Sequence, residues 1–210
     1  ITTWMPGYKE LSVGNHLFMT IQWMLSSFAN EGKAFFIAIW AAGFLLLMKS
    51  KKAKVYQILA VVFSVVALLP YAGISFFSEM GIGYIDIEQR LTELPTWQTM
   101  TIQNRIAFFW WIAAVLFTLV LLWKVTGHSV FISMAFLGGI ASEAVLHFSP
   151  TIYASGARVY YLTDLMYLFI ILWMVMHMDS EKKKNLFIAG AAALGVINFL
   201  SQYSIMLLKL

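Results

Sequence analysis

The sequence contains no cysteine and little charge. The absence of cysteine from all 210 residues excludes disulfide bonds and thiolate metal sites. Charged residues make up 11% of the chain, whereas soluble domains carry about 25%. Hydrophobic residues make up 61%, and the mean hydropathy is +0.79. This composition predicts an all-α integral membrane protein, a polytopic bundle of helices that faces lipid.

Motifs of several soluble functions are also missing. The sequence has no phosphate-binding glycine loop, no serine–histidine pairing and no nucleic-acid-binding motif. The net charge of +4 comes from lysines that follow the expected membrane topology. We therefore expect no nucleic-acid partner.

Long apolar runs predict one transmembrane domain over residues 1–210. A helix that crosses a bilayer needs about 20 mainly apolar residues. About six spans meet this expectation, at 34–48, 55–78, 105–123, 129–148, 159–178 and 185–208. The shorter run 16–28 predicts an interfacial or re-entrant helix near the N-terminus. The outer loop 79–103 predicts an amphipathic helix, because Ile87, Leu91 and Leu94 recur at helical spacing.

The lysines predict the orientation of these spans. Eight of the fourteen basic residues lie in three loops that an alternating topology places on one side: Lys49, Lys51, Lys52, Lys54, Lys124, Lys182, Lys183 and Lys184. Positive residues concentrate in cytoplasmic loops. The lysine-rich loops are therefore expected to be cytoplasmic.

The stretch HFSPTIYASGARVYYLTD, residues 147–164, holds the polar residues that are hardest to explain. Ionisable groups at membrane depth cost about 2.5–3.5 kcal/mol on insertion scales, so they usually face a cavity or a partner. Glu143 and His147 lie four residues apart, on one face of a helix. Around the loop that follows, the candidate residues are Arg158, Tyr160, Tyr161 and Asp164.

These residues allow two interpretations. In the first they form a pocket in which Arg158 binds a phosphate and Glu143 or Asp164 orients that arginine or acts as a base. In the second the cluster is structural, with His147 paired to Glu143 and Arg158 extended to the lipid headgroups. Glu143 and His147 also match two metal ligands on one helix, but no third ligand is suitably spaced.

A second candidate site is Asp86 and Glu88 in the outer loop. Two nearby carboxylates can hold a divalent cation or serve as a general base. The alternative is a solvated acidic face on the predicted amphipathic helix. No other cofactor is indicated by the sequence.

The stretch HFSPTIYASGARVYYLTDLMYLFIILWM resembles the C-terminal membrane half of bacterial GT-C-type glycosyltransferases, including O-antigen glucosyltransferase-like families. The matching positions are Ser149, Pro150, Arg158, Tyr160 and Tyr161. The earlier stretch NHLFMTIQWMLSSFANEGKAFF is similar to a region of the same families. The resemblance covers about half of the chain.

The resemblance implies a bacterial plasma-membrane enzyme that transfers a sugar from a polyprenyl-phosphate carrier to an acceptor outside the cytoplasm. It gives Arg158 the role of binding the carrier phosphate. The family also has an acidic pair after its first span, whereas Asp86 and Glu88 come later in this chain. Either a catalytic half precedes Ile1, or the chain is a non-catalytic membrane subunit or scaffold that contacts lipids and other membrane subunits.

Overall fold

The computed structural model describes residues 12–69, 97, 102–147 and 160–208, without the side chains of residues 30, 31, 103, 104, 147 and 201–208. Every element within these ranges is helical, and they contain no strand. The predicted all-α class is confirmed. The predicted outer loop 79–103 lies outside the described residues except for its residues 97, 102 and 103.

Seven α-helices make up the described chain: α1 Val13–Ser27, α2 Lys33–Leu47, α3 Lys54–Leu68, α4 Ile102–Val125, α5 Val130–His147, α6 Tyr161–Met176 and α7 Glu181–Leu208. A π-helix, Phe28–Gly32, joins α1 to α2, and a 3₁₀ turn, Lys51–Ala53, precedes α3. Ser12 caps α1, where its hydroxyl accepts a hydrogen bond from the Asn15 amide at 3.2 Å.

The predicted number of spans needs correction. Only two described helical segments, Arg105–Val125 and Glu181–Leu200, are long and apolar enough to cross a membrane, rather than about six. Helices α2, α5 and α6 are apolar but shorter; the 15 residues of α2 rise about 22 Å, less than a hydrocarbon core of about 30 Å. The predicted span 34–48 was itself only 15 residues long, and the span 159–178 was longer than α6 because hydropathy does not separate the residues after a helix, here His177 and Met178, from the helix itself. The described part of α3 ends before the predicted span 55–78 does.

Helix α2 is the centre of the bundle, and it packs against α3, α4, α6 and α7. Its residues Phe36, Ile39, Trp40 and Ala42 are fully buried. The Phe36 ring lies within 6.1 Å, centroid to centroid, of five other aromatic rings: Phe28, Trp40, Trp111, Phe136 and Tyr167. Aromatic packing therefore fixes the positions of α4, α5 and α6 around α2.

Two contacts show that α2 and α4 run in parallel. The Trp40 indole N–H donates a 2.8 Å hydrogen bond to the Thr118 hydroxyl. One turn further on, a Cβ added to Gly43 would lie 2.7 Å from Leu121 Cδ2, so the two helices are in close contact there. Both pairs are 78 residues apart in the sequence. Because the offset is constant, α2 and α4 end on the same side of the bundle.

An ion-pair network brings the connection between α6 and α7 to that same side. Asp179 accepts hydrogen bonds from Lys49 at 2.7 Å and from Lys183 at 2.9 Å. Gln57 holds the turn between α2 and α3 by donating to the Leu47 carbonyl at 2.6 Å. The three connections carrying the eight lysines named above thus lie together, and we call this the lysine-rich end.

At the opposite end, α1 bends away from the axis of α2. The Phe18 ring packs 5.6 Å from Phe108. Phe18 lies 29 residues before the end of α2 and Phe108 lies 17 residues before the end of α4, which correspond to rises of about 43 Å and 25 Å. The difference requires a bend, and the π-helix is where helices commonly kink. The segment 16–28, predicted to be interfacial or re-entrant, corresponds to α1, whose second half is buried.

Candidate functional site

A polar pocket lies far from the lysine-rich end, where the π-helix, α2, α5 and α6 meet. Its volume is about 120 Å³. Its walls combine two carboxylates with hydroxyl groups and aromatic rings: Ser27, Phe28, Gly32, Phe35, Glu143, Tyr160, Thr163, Asp164 and Tyr167. In a bundle this apolar, the concentration of polar groups makes the pocket the candidate site.

The two carboxylates enter the pocket from neighbouring helices. Glu143 lies on the last turns of α5 and is 2% exposed. Asp164 lies in the first turn of α6 and is half-buried, where the positive end of the helix dipole favours a negative charge. Asp164 is therefore the carboxylate more open to a ligand, while Glu143 forms the inner wall.

The Tyr167 hydroxyl is the most informative group in the pocket. Tyr167 is 1% exposed, and its hydroxyl has no hydrogen-bond partner within the described part of the chain. The carboxylates of Glu143 and Asp164 both lie within electrostatic range of it. Leaving a buried hydroxyl without a partner costs about 1–3 kcal/mol. Such a group in a pocket wall is suited to bind a ligand.

A close contact between α5 and α6 positions these groups. The Thr163 hydroxyl donates a 3.1 Å hydrogen bond to the Gly139 carbonyl. A Cβ added to Gly139 would lie 3.2 Å from Tyr167 Cε1, so glycine allows the rings of α6 to approach α5. Small residues serve this purpose widely in membrane helices. Glu143, one turn after Gly139, then faces the same space as Asp164 and Tyr167.

The π-helix provides the third wall. Phe28 is buried between the rings of Phe36, at 5.1 Å, and Tyr167, at 6.5 Å. Just before it, the Ser27 hydroxyl donates to the Met24 carbonyl at 2.8 Å. Short π-helical segments are rare and occur frequently at functional sites, and this one contributes Phe28 and Gly32 to the pocket.

The structure brings together three of the residues predicted from the sequence: Glu143, Tyr160 and Asp164 line one pocket. Tyr161 is 69% exposed and is not among the described residues that line it. The other predicted site residues lie outside the description, namely Asp86, Glu88, Arg158 and the side chain of His147.

Sequence reasoning missed Tyr167, Thr163 and the residues around the π-helix. A signal for the first was present, because Tyr160, Asp164 and Tyr167 are spaced as i, i+4 and i+7, one face of a helix. No comparable pattern marks Phe28–Gly32. Phe28 in this segment packs against Phe36 and Tyr167, residues that are brought together only in the folded chain.

The described residues contain no group of three or more histidine, cysteine, aspartate or glutamate side chains that could hold a metal ion. The divalent cation considered from the sequence depended on Asp86 and Glu88, so it stays a prediction.

We compared the chain with protein-family models, curated proteins and solved structures, and found no match in any of the three.

Proposed function

We propose that this chain is an integral membrane protein that transfers a sugar from a polyprenyl-phosphate donor, with the polar pocket as the reaction site. The observation that carries the proposal is the meeting of Glu143, Asp164 and the Tyr167 hydroxyl, which has no partner among the described residues, in one pocket. The sequence resemblance to GT-C-type glycosyltransferases supports the same assignment.

Placement in a membrane is supported by the apolar surface of α7. Of its candidate span Glu181–Leu200, 11% is buried within the protein, and large side chains such as Leu186, Val196 and Phe199 are exposed. Large contiguous patches of exposed apolar side chains are rare on soluble monomers. With the lysine-rich end in the cytoplasm, the pocket belongs to the extracytoplasmic half of the protein.

In the proposed reaction Asp164 acts as the general base. Its carboxylate takes the proton of an acceptor hydroxyl. The oxygen of that hydroxyl forms a bond to the anomeric carbon of the sugar, and the bond between this carbon and the phosphate oxygen breaks. The polyprenyl phosphate leaves with the electron pair. We assign Arg158 to the departing phosphate, because a guanidinium binds phosphate through two parallel hydrogen bonds.

Glu143 and Tyr167 are assigned to positioning. The Tyr167 hydroxyl would donate to a sugar or acceptor oxygen, and Glu143 would accept from a neighbouring hydroxyl. The pocket of about 120 Å³ has room for about four water molecules at about 30 Å³ each. It is therefore suited to the hydroxyl-bearing edge of a sugar rather than to a whole disaccharide.

The test is transfer of a labelled sugar from its polyprenyl phosphate by the purified protein in liposomes. Removing the base, Asp164→Asn, is expected to lower the rate about 10²–10⁴-fold, and Arg158→Ala is expected to abolish transfer. Glu181→Gln is the control, because Glu181 lies at the lysine-rich end and pairs with Lys184 within α7. Unchanged transfer in both the Asp164→Asn and the Arg158→Ala variants would refute the proposal.

The second candidate function is a non-catalytic subunit of a larger membrane complex. The exposed apolar side of α7 favours it, because a partner helix can cover such a surface. Copurification of further subunits in a constant ratio, together with no transfer by the isolated chain, would establish this function instead.

A further inference from the structure

A second, apolar cavity runs along the outside of the bundle, away from the polar pocket. It has a volume of about 500 Å³, within the range of roughly 300–1,000 Å³ found for small-molecule sites. Its walls come from α2, α3 and α7 and include Trp40, Phe44, Val61, Leu186 and Ile197. Among the described residues that line it, Ser64 is the only one with a hydroxyl group. We call this cavity the apolar groove.

Small residues create the groove without bringing the helices together. Ala38 and Ala41 on α2 and Gly190 on α7 line it. A Cβ added to Gly190 would meet no atom within 4 Å in the described part of the chain. At Gly43, in contrast, the missing Cβ allows α2 to touch Leu121. A helix-interior glycine costs about 1 kcal/mol relative to alanine. Gly190 carries this cost without making a close helix contact of the kind that Gly43 makes.

The length of the groove corresponds to one leaflet of a bilayer. From Leu186 to Ile197, the helix α7 rises about 16 Å, which is about half of a 30 Å hydrocarbon core. The groove begins close to the lysine-rich end, since Leu186 lies within two turns of the start of α7 at Glu181. A partner helix that crosses the membrane would need a seam about twice as long. The chain of a lipid from one leaflet fits this depth.

Two of the helices that line the groove, α7 and α3, each carry a lysine where they begin, at the lysine-rich end. On α7, Lys182 lies on the same face as the groove residues Leu186, Gly190, Ala193 and Ile197, at positions i+4, i+8, i+11 and i+15. On α3, Lys54 lies on the same face as Val61, Val65 and Leu68, at positions i+7, i+11 and i+14. Both lysines are exposed.

These two lysines are available to an external anion. Asp179 pairs with Lys49 and Lys183, and Glu181 pairs with Lys184. Neither Lys54 nor Lys182 has an ion pair among the residues that the structure describes. Each also lies in the first turn of its helix, where the positive end of the helix dipole disfavours a cation and favours an anion. This position is unfavourable for folding and favourable for anion binding.

We propose that the apolar groove binds an anionic phospholipid from the leaflet at the lysine-rich end. One acyl chain lies between α2, α3 and α7, and the phosphate of the headgroup contacts Lys54 and Lys182. The lipid completes the packing of α7 against the bundle. This proposal depends on placement in a membrane, and it does not depend on sugar transfer.

The test is native mass spectrometry of the detergent-purified chain, titrated with phosphatidylglycerol or with phosphatidylcholine of identical acyl chains. The wild type is expected to retain phosphatidylglycerol preferentially. Lys182→Gln should weaken this binding about fivefold and the double change with Lys54→Gln about thirtyfold, at about 1 kcal/mol for each lysine near the headgroup. Lys124→Gln is the matched control, because α4 does not line the groove.

A second pair of variants tests the groove itself. Gly190→Leu fills the cavity, and its phosphatidylglycerol binding is expected to fall to the level of phosphatidylcholine. Gly195→Leu adds the same side chain on the opposite face of the same helix, where a Cβ also meets no described atom within 4 Å, and binding should be unchanged.

Three results would overturn the proposal. The first is equal retention of both lipids by the wild type. The second is an identical effect of Gly190→Leu and Gly195→Leu on binding. The third is a lipid-free wild type that forms a dimer, or binds another membrane protein, through a contact that Gly190→Leu removes. Sugar transfer measured on the same variants separates failure of this proposal from failure of the proposed function.

Discussion

The Thr163 hydroxyl donates a 3.1 Å hydrogen bond to the Gly139 carbonyl and so joins α6 to α5 beside the polar pocket. On the α6 side the next residue is Asp164, and Tyr167 lies one turn further on. On the α5 side Glu143 lies one turn after Gly139. This hydrogen bond, together with the close approach of Tyr167 to Gly139, sets the separation of the helices that carry the two carboxylates.

Replacing Thr163 with valine removes this hydrogen bond and keeps the shape of the side chain. We expect the free energy of unfolding to fall by about 1 kcal/mol, measured by thermal unfolding in detergent. Ser133→Ala is the control, because the Ser133 hydroxyl donates to the Ser129 carbonyl at the start of its own helix. Equal losses in the two variants would show that the contact between helices contributes nothing of its own.

Alanine at Gly43 and alanine at Gly190 are expected to have opposite effects on stability. At Gly43 the new Cβ would lie 2.7 Å from Leu121, a fully buried side chain, and such overpacking costs about 1–3 kcal/mol. At Gly190 the new Cβ meets open space, and the better helix propensity of alanine adds up to about 1 kcal/mol. The melting temperatures of the two variants in detergent should lie on opposite sides of the wild type.

The ion-pair network at the lysine-rich end should make the stability of the protein depend on pH in the acid range. Hydrogen bonds from Lys49 and Lys183 lower the pKa of Asp179 from its ordinary value of 3.8 to about 2. Because the folded state lowers this pKa, the stabilisation is fully present above about pH 3.8 and is lost as the pH falls through about 2.

Melting temperatures measured between pH 5 and pH 2 for the wild type and for Asp179→Asn test this dependence. The difference between the two proteins should be largest at pH 5 and should disappear toward pH 2. Glu181→Gln is the comparison, because its pair with Lys184 lies within one helix. A constant difference across the range would mean that the Asp179 carboxylate does not link α2 to α7.

The sequence predicted the features of this fold that depend on composition and helical spacing. The apolar composition predicted an all-helical chain, and the scarcity of ionisable residues grouped Glu143 and Asp164 into one candidate site. The number of spans could not be predicted well, because the apolar run that forms α2 is too short to cross a bilayer and because hydropathy counts residues that follow a helix, such as Met178 after α6, as part of it.

Two other features depend on three-dimensional packing and leave no pattern in the sequence. Gly43 and Gly190 both occur within apolar helices, yet one allows a close contact and the other opens a cavity. Only the relative placement of α2, α4 and α7 distinguishes them. The spacing of Tyr160, Asp164 and Tyr167 does mark one helix face, but no pattern shows that the Tyr167 hydroxyl lacks a partner among the described residues, because an aromatic residue in an apolar helix usually packs through its ring alone.

The most direct test of the central claim compares two tyrosine variants, Tyr167→Phe and Tyr161→Phe, in the sugar-transfer assay. If the Tyr167 hydroxyl binds the reacting sugar or acceptor, Tyr167→Phe should lower the transfer rate about tenfold. Its melting temperature should be equal to or higher than that of the wild type, because the change removes a buried hydroxyl that has no partner in the described part of the chain. The exposed Tyr161→Phe should leave both quantities unchanged. Equal transfer rates in the wild type and Tyr167→Phe would contradict the account.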